Sequence, residues 1–118
     1  MSPKTLEAIA SILGNGYTCF VHREREEVFS AADLTLEEQK SAEYKSFIPL
    51  ESKVMFNMME AYTASIEDFE QQSALMEALT FEQPFSNFKK KVYQLHLADG
   101  WIAYRTQKII ETLQSQLD

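Results

Sequence analysis

From Glu51 onward, apolar residues return at three- and four-residue steps. This helical period over more than half of the chain constrains the fold more than any other feature. Met55, Met58, Met59, Tyr62 and Ile66 form the first stripe, and a break follows near Ser65. Phe69, Gln72, Leu75, Met76 and Leu79 form the second, with Asp68 placed for a cap contact. Pro84 opens a third stripe of Phe85, Phe88, Val92 and Leu95. Asp99 is the expected N-cap of a final helix, whose stripe is Ile102, Ile109, Leu113 and Leu117.

Ahead of Glu51 the signals change. "SPKTLEAIASILGNG" predicts a short helix with Ser2 as cap, Pro3 in the first turn and Gly14 as stop, and Leu6, Ile9, Ile12 and Leu13 line its apolar side. "YTCFVHREREEVFSA" predicts a β-hairpin in which Tyr17–Val21 pairs antiparallel with Glu27–Ala31. Its turn falls near Arg23 to Glu26, where no glycine is present to dictate a turn type. Thr35 and Glu38 have capping-box spacing and predict another short helix. "KSFIPL" is extended because Pro49 disfavours the helical region at Ile48, and it is the candidate third strand, at a sheet edge. The fold class is therefore α+β. It comprises an N-terminal helix, a small antiparallel sheet (the hairpin plus a possible third strand), and a C-terminal bundle of about four helices.

A chain of 118 residues, 45% hydrophobic and 25% charged, matches one soluble domain spanning residues 1–118. Its net charge of −7 opposes general nucleic-acid binding, so only a local basic patch would serve that purpose. A single cysteine, Cys19, excludes an intramolecular disulfide and fits a reducing compartment. No segment approaches the ~20 apolar residues of a membrane span. The N-terminal pattern, broken by Glu7, lacks the continuous apolar run of a signal peptide, so a cytoplasmic location is expected.

Recognisable catalytic spacing is missing. The sequence has no Cys-x-x-Cys, no His-Glu-x-x-His and no glycine-rich phosphate loop, and Gly14, Gly16 and Gly100 are its only glycines. No metal, cofactor or catalytic residue is expected, and the sequence makes no case for an enzyme. His22, Glu24 and Glu26 would share a face if their strand ran on, but they also read as a solvated hairpin tip. His96 is expected to cap the end of its helix, with an imidazolium at the negative dipole end. The methionines at core positions read as flexible packing, with an adaptable partner groove as the alternative.

The segment "PFSNFKKKVYQLHLADGWIAYR" concentrates aromatic and basic groups. Phe85 and Phe88 belong to the core stripe, whereas Lys89, Tyr93 and His96 lie on a flanking side. Trp101, Tyr104, Arg105 and Lys108, at i, i+3, i+4 and i+7, form a neighbouring aromatic–basic face. With Lys89 these are the candidate binding residues. Arg105 is a fork donor for a carboxylate or other anion, and Trp101 a stacking wall. In the alternative, Trp101 closes the edge of the core, and Arg105 stacks on it or pairs with an acid.

"PFSNFKKKVYQLHLADGWIAYRTQKI" resembles the most characteristic segment of a bacterial family, uncharacterised protein family zero-one-five-eight. The match is carried by Phe85, Phe88, Lys89, Trp101, Tyr104 and Arg105. Upstream, "YTCFVHREREEVFSAAD" is similar to that family's hairpin, and "FIPLESKVMFNMMEAY" to its strand and following helix. Gln83-Pro84 stands where the family has Gly-Ala, Lys90-Lys91 where an acidic residue is usual, and the hairpin lacks the turn glycine. The chain resembles a divergent member. The resemblance implies a fold and adds no activity.

Three readings of function follow. The first is a small cytoplasmic, non-enzymatic interaction or regulatory module that binds a protein partner through the aromatic–basic face. The second is a nucleic-acid binder using Lys89, Lys90, Lys91, Arg105 and Lys108. The third, a hydrolase built on scattered carboxylates and His22, has no motif behind it.

Overall fold

Ser2 starts the first helix as expected: its Oγ accepts the Thr5 N–H at 3.2 Å, and Pro3 occupies the first turn. The structure is a computed structural model that describes residues 1–117, with side chains to Gln116. Helix α1 spans Pro3–Gly14 and buries Leu6, Ile9, Ala10 and Leu13. The stop signal is Gly16 rather than Gly14. Gly16 sits at φ +89, and the N–H groups of Gly16 and Tyr17 donate back to the carbonyls of Leu13 and Ile12. Only a residue without Cβ adopts that conformation cheaply.

The hairpin forms where the sequence predicts it. Strand β1 (Cys19–His22) pairs antiparallel with β2 (Val28–Ser30), with Phe20 opposite Phe29. Flanking bonds from His22 N–H to Glu27 O and from Ala31 N–H to Thr18 O extend the pairing at both ends. A short 3₁₀ turn, Ala31–Asp33, leads to α2 (Leu36–Lys40), which opens with the full Thr35–Glu38 capping box. Strand β3 (Tyr44–Phe47) then pairs antiparallel with the other side of β1, giving the order β2-β1-β3. All four β1 residues are buried, as befits a central strand covered on both faces.

Four helices follow: α3 (Ser52–Ser65), α4 (Phe69–Thr80), α5 (Pro84–Gln94) and α6 (Ala98–Leu117). Asp68 caps α4 by accepting the Gln71 N–H at 2.9 Å. Asp99 is not the cap of α6; the helix begins one residue earlier, and Asp99 lies in its first turn. Contacts group the chain into two compact units. A sheet unit comprises Met1–Leu50 with Thr106–Asp118, and a helical unit comprises Glu51–Arg105.

Several helix faces differ from the sequence expectation. In α3, Met58, Met59 and Tyr62 are buried as expected. In α4 the buried residues are Leu75, Ala78 and Leu79, whereas Phe69 is 78% exposed and Met76 is also outside. Phe85 and Ile102 likewise face solvent, although both belong to an expected core stripe. Ile109 and Leu113 are buried; Leu117 lies outside the described side chains. Each of these helices has apolar residues on more than one side. Spacing alone then defines two competing stripes, and packing selects one.

Candidate functional site

The aromatic–basic segment is organised around Phe88 and Trp101. Pro84 fixes the first turn of α5, and Gln83 before it takes a left-handed conformation at φ 56 without a side-chain cap. The Asn87 side chain instead donates to the Glu82 carbonyl at 2.7 Å, which ties the helix start to its lead-in. Phe88 and Val92 are then fully buried. Trp101 packs edge-on against Phe88 with ring centroids 5.0 Å apart, and Tyr62 lies 5.5 Å from Trp101. Tyr62 donates to the Leu97 carbonyl, and burial raises its hydroxyl pKa above the ordinary value. A Cβ on Gly100 would meet that hydroxyl at 3.0 Å, so the glycine permits the close approach of α6 to α3 in this unit.

The candidate residues therefore occupy different environments. Trp101 is only 5% exposed and belongs to the aromatic core, not to a surface wall. Tyr104 is half-buried, stacked on Trp101 at 6.4 Å and tilted against Tyr62 at 5.4 Å. Lys108 is half-buried and pairs with Glu111 at 3.4 Å. Lys89 is exposed.

Arg105 differs from the others. It is half-buried, and its Nε is shielded from solvent without a hydrogen-bond partner among the described residues. No carboxylate lies within ion-pair distance among the described residues. Burial lowers the guanidinium pKa from its ordinary value, while nearby Tyr93 acts in the opposite direction. An arginine remains protonated in proteins, so this is a partly desolvated cation with no counter-charge among the described residues. Burying a charge that way is costly, and an incoming carboxylate or phosphate would relieve the cost.

On the other side of α5 lies a groove that the sequence reading did not assemble. It has a volume of about 280 Å³ and is lined by Ala74, Glu77 and Ala78 of α4, Phe81 of the connection, and the α5 face carrying Lys90 and Lys91. The available signal was the i, i+4 pairing of Asn87 with Lys91 and Lys90 with Gln94, which puts amides and amines on one face. Lys89 projects to the opposite side with Phe85 and Tyr93. The run of three lysines is thus split between two surfaces.

His22 closes the hairpin. The strand ends at His22, so Glu24 and Glu26 do not line up beside it. The imidazole Nδ1 accepts the N–H groups of Glu24 (3.3 Å) and Arg25 (3.2 Å), while Nε2 lies 3.8 Å from Glu43. The turn has no glycine, and Glu26 takes the left-handed conformation at φ 52 instead. His96 also plays a backbone part. At φ 58 it occupies the position that follows the α5 cap, and the N–H groups of His96 and Leu97 donate to the carbonyls of Tyr93 and Val92. The expected imidazolium–dipole contact gives way to a main-chain motif.

Among the described residues, no three His, Cys, Asp or Glu side chains gather to hold a metal ion. No family model, curated protein or solved structure matches the chain. No described helix is long and apolar enough to cross a membrane.

Proposed function

We propose that the chain is a small non-enzymatic interaction module that binds a protein partner through the Arg105 face of its helical unit. The observation that carries this reading is the half-buried Arg105, whose Nε has no hydrogen-bond partner among the described residues. A carboxylate from a partner would accept from the guanidinium fork and supply the missing counter-charge. Trp101 and Tyr104 act as the packed support that holds the arginine in place, and Lys89 adds charge on the neighbouring helix. Phe88 and Trp101, which pack together, are two of the six residues that carry the resemblance to a divergent member of that bacterial family.

The test is quantitative capture from lysate with wild type, Arg105→Lys and Arg105→Met. Both variants should lose a specific protein partner, because lysine lacks the planar fork. Arg105→Met should keep or raise the melting temperature, since it removes an unpaired cation from a partly buried place. A clear loss of stability with an unchanged set of partners would end this reading.

A second reading is favoured by one observation: Lys89, Lys90 and Lys91 form no ion pair among the described residues. This reading makes α5 a nucleic-acid contact. It expects salt-dependent retardation of RNA or DNA and loss of the captured partner on nuclease treatment.

A further inference from the structure

We propose that the groove between α4 and α5 receives the acidic–aromatic segment Glu67–Glu70 of a second copy of this chain, so that copies associate head to tail. This surface is separate from the Arg105 face, because the groove and Lys89 lie on opposite sides of α5.

Charge points to an acidic occupant. Helix α5 carries three lysines and no acid, on a chain of net charge −7. Lys90 and Lys91 both line the groove, and neither pairs with Glu77 across it. The floor is low because alanines occupy positions 74 and 78. At one end Phe81 is 58% exposed. A volume of about 280 Å³ falls just below the ~300–1,000 Å³ of sites that enclose a whole small ligand. It suits an aromatic side chain laid across the opening, with carboxylates directed at the two amines.

The helical unit itself presents such a group. Phe69 is the most exposed of the large apolar side chains and sits between Asp68 and Glu70, with Glu67 just before them. Asp68 is engaged in capping α4, but Glu67 and Glu70 form no ion pair among the described residues. Phe69 cannot fill the groove of its own chain. It stands at the first turn of α4, and Ala74, the nearest groove-lining residue on that helix, is five residues further along, about 7.5 Å at 1.5 Å per residue and about 140° round the helix, so Phe69 points away from the groove. Only another copy brings the two together. Made in one direction only, head to tail, the contact is heterologous and continues beyond a dimer unless it closes into a ring.

Sedimentation of the full chain at low salt, from about 1 μM to 1 mM, tests the proposal. The average mass should rise with concentration and pass that of a dimer. Phe69→Ser, Glu67→Lys with Glu70→Lys, and Lys90→Glu with Lys91→Glu should each weaken association about tenfold or more, with helix content and melting temperature retained. Mixing the two charge-reversed proteins should restore association, because each then meets an opposite charge. Salt near 1 M should weaken the wild-type contact by screening. A chain that stays monomeric throughout overturns the proposal. So does association that the groove and Phe69 variants leave unchanged, or charge-reversed proteins that fail to associate when mixed. Arg105→Met should associate like wild type, so failure here is distinguishable from failure of the partner-binding reading.

Discussion

In the sheet unit, several charged groups find partners nearby, although Lys4, Lys40 and Lys45 form no ion pair among the described residues. Arg25 pairs with Glu27 at 3.2 Å, Lys108 with Glu111 at 3.4 Å, and Arg23 Nε donates to the Ala42 carbonyl at 2.9 Å. In the helical unit, Lys53, Lys89, Lys90, Lys91 and Arg105 form no ion pair among the described residues, although Glu60, Glu77 and Glu82 belong to the same unit. For an exposed lysine the difference matters little, because a surface pair contributes only ~0–1 kcal/mol. For Arg105 it matters more, since half-burial removes the water that would otherwise solvate the charge. The sheet unit uses its polar groups to hold its own turn and edges. The helical unit packs on its aromatic side chains, and its cations form no ion pair among the described residues.

The largest test of this contrast is Phe88→Ala. Phe88 is fully buried and touches Trp101, so truncation should cost on the order of 3–5 kcal/mol in urea melts. A loss below about 1 kcal/mol would show that aromatic packing does not hold the helical unit.

Alkaline titration probes the sheet unit. Burial pushes the Cys19 thiol up to about 11 from its usual 9.0. Below pH 9 the folded and unfolded chains both keep the proton, and stability is unaffected. Between pH 9 and 11 the unfolded chain releases a proton that the fold retains, so stability should fall by about 2–3 kcal/mol across that window. Cys19→Ala should flatten the slope; the raised Tyr62 hydroxyl would leave a smaller slope above pH 10. Equal slopes in wild type and Cys19→Ala would show that the thiol titrates freely. The same burial should make Cys19 slow to alkylate in the native protein.

His22→Leu is expected to have a smaller effect. It preserves bulk but leaves the N–H groups of Glu24 and Arg25 without their acceptor, at a cost of about 1–2 kcal/mol. Hydrogen exchange at those two amides should accelerate. Unchanged exchange would mean that the backbone alone holds the turn.

The smallest expected effect is a gain. His96→Gly relieves a left-handed residue at the end of α5 and should stabilise by up to ~1 kcal/mol. A loss of stability would instead give the imidazole a role in the helical unit.

Much of the fold was legible because its signals are local. The Ser2 cap, the Thr35–Glu38 box, the Asp68 cap and the pairing of two β-rich runs each involve residues close in sequence. The candidate site was legible only in part. Trp101 and Arg105 are neighbours on one helix face, yet one is buried against Phe88 while the other is half-buried with no counter-ion among the described residues. Spacing reports which residues share a face, not what that face meets.

The amino-acid sequence by itself determined the order of elements, the hairpin and the helix starts, because caps and residue periods act over a few positions. Tertiary structure decided which stripe of each two-sided helix turns inward. It sent Phe69, Met76, Phe85 and Ile102 outward and drew Trp101 into the core. It also decided that a residue as far away as Glu43 faces His22, that no carboxylate among the described residues reaches Arg105, and that Lys90 and Lys91 line a groove with two alanines of α4. The physical reason is that burial and charge pairing depend on which distant surfaces meet. An α-helix with apolar residues on several sides offers more than one surface to meet them with.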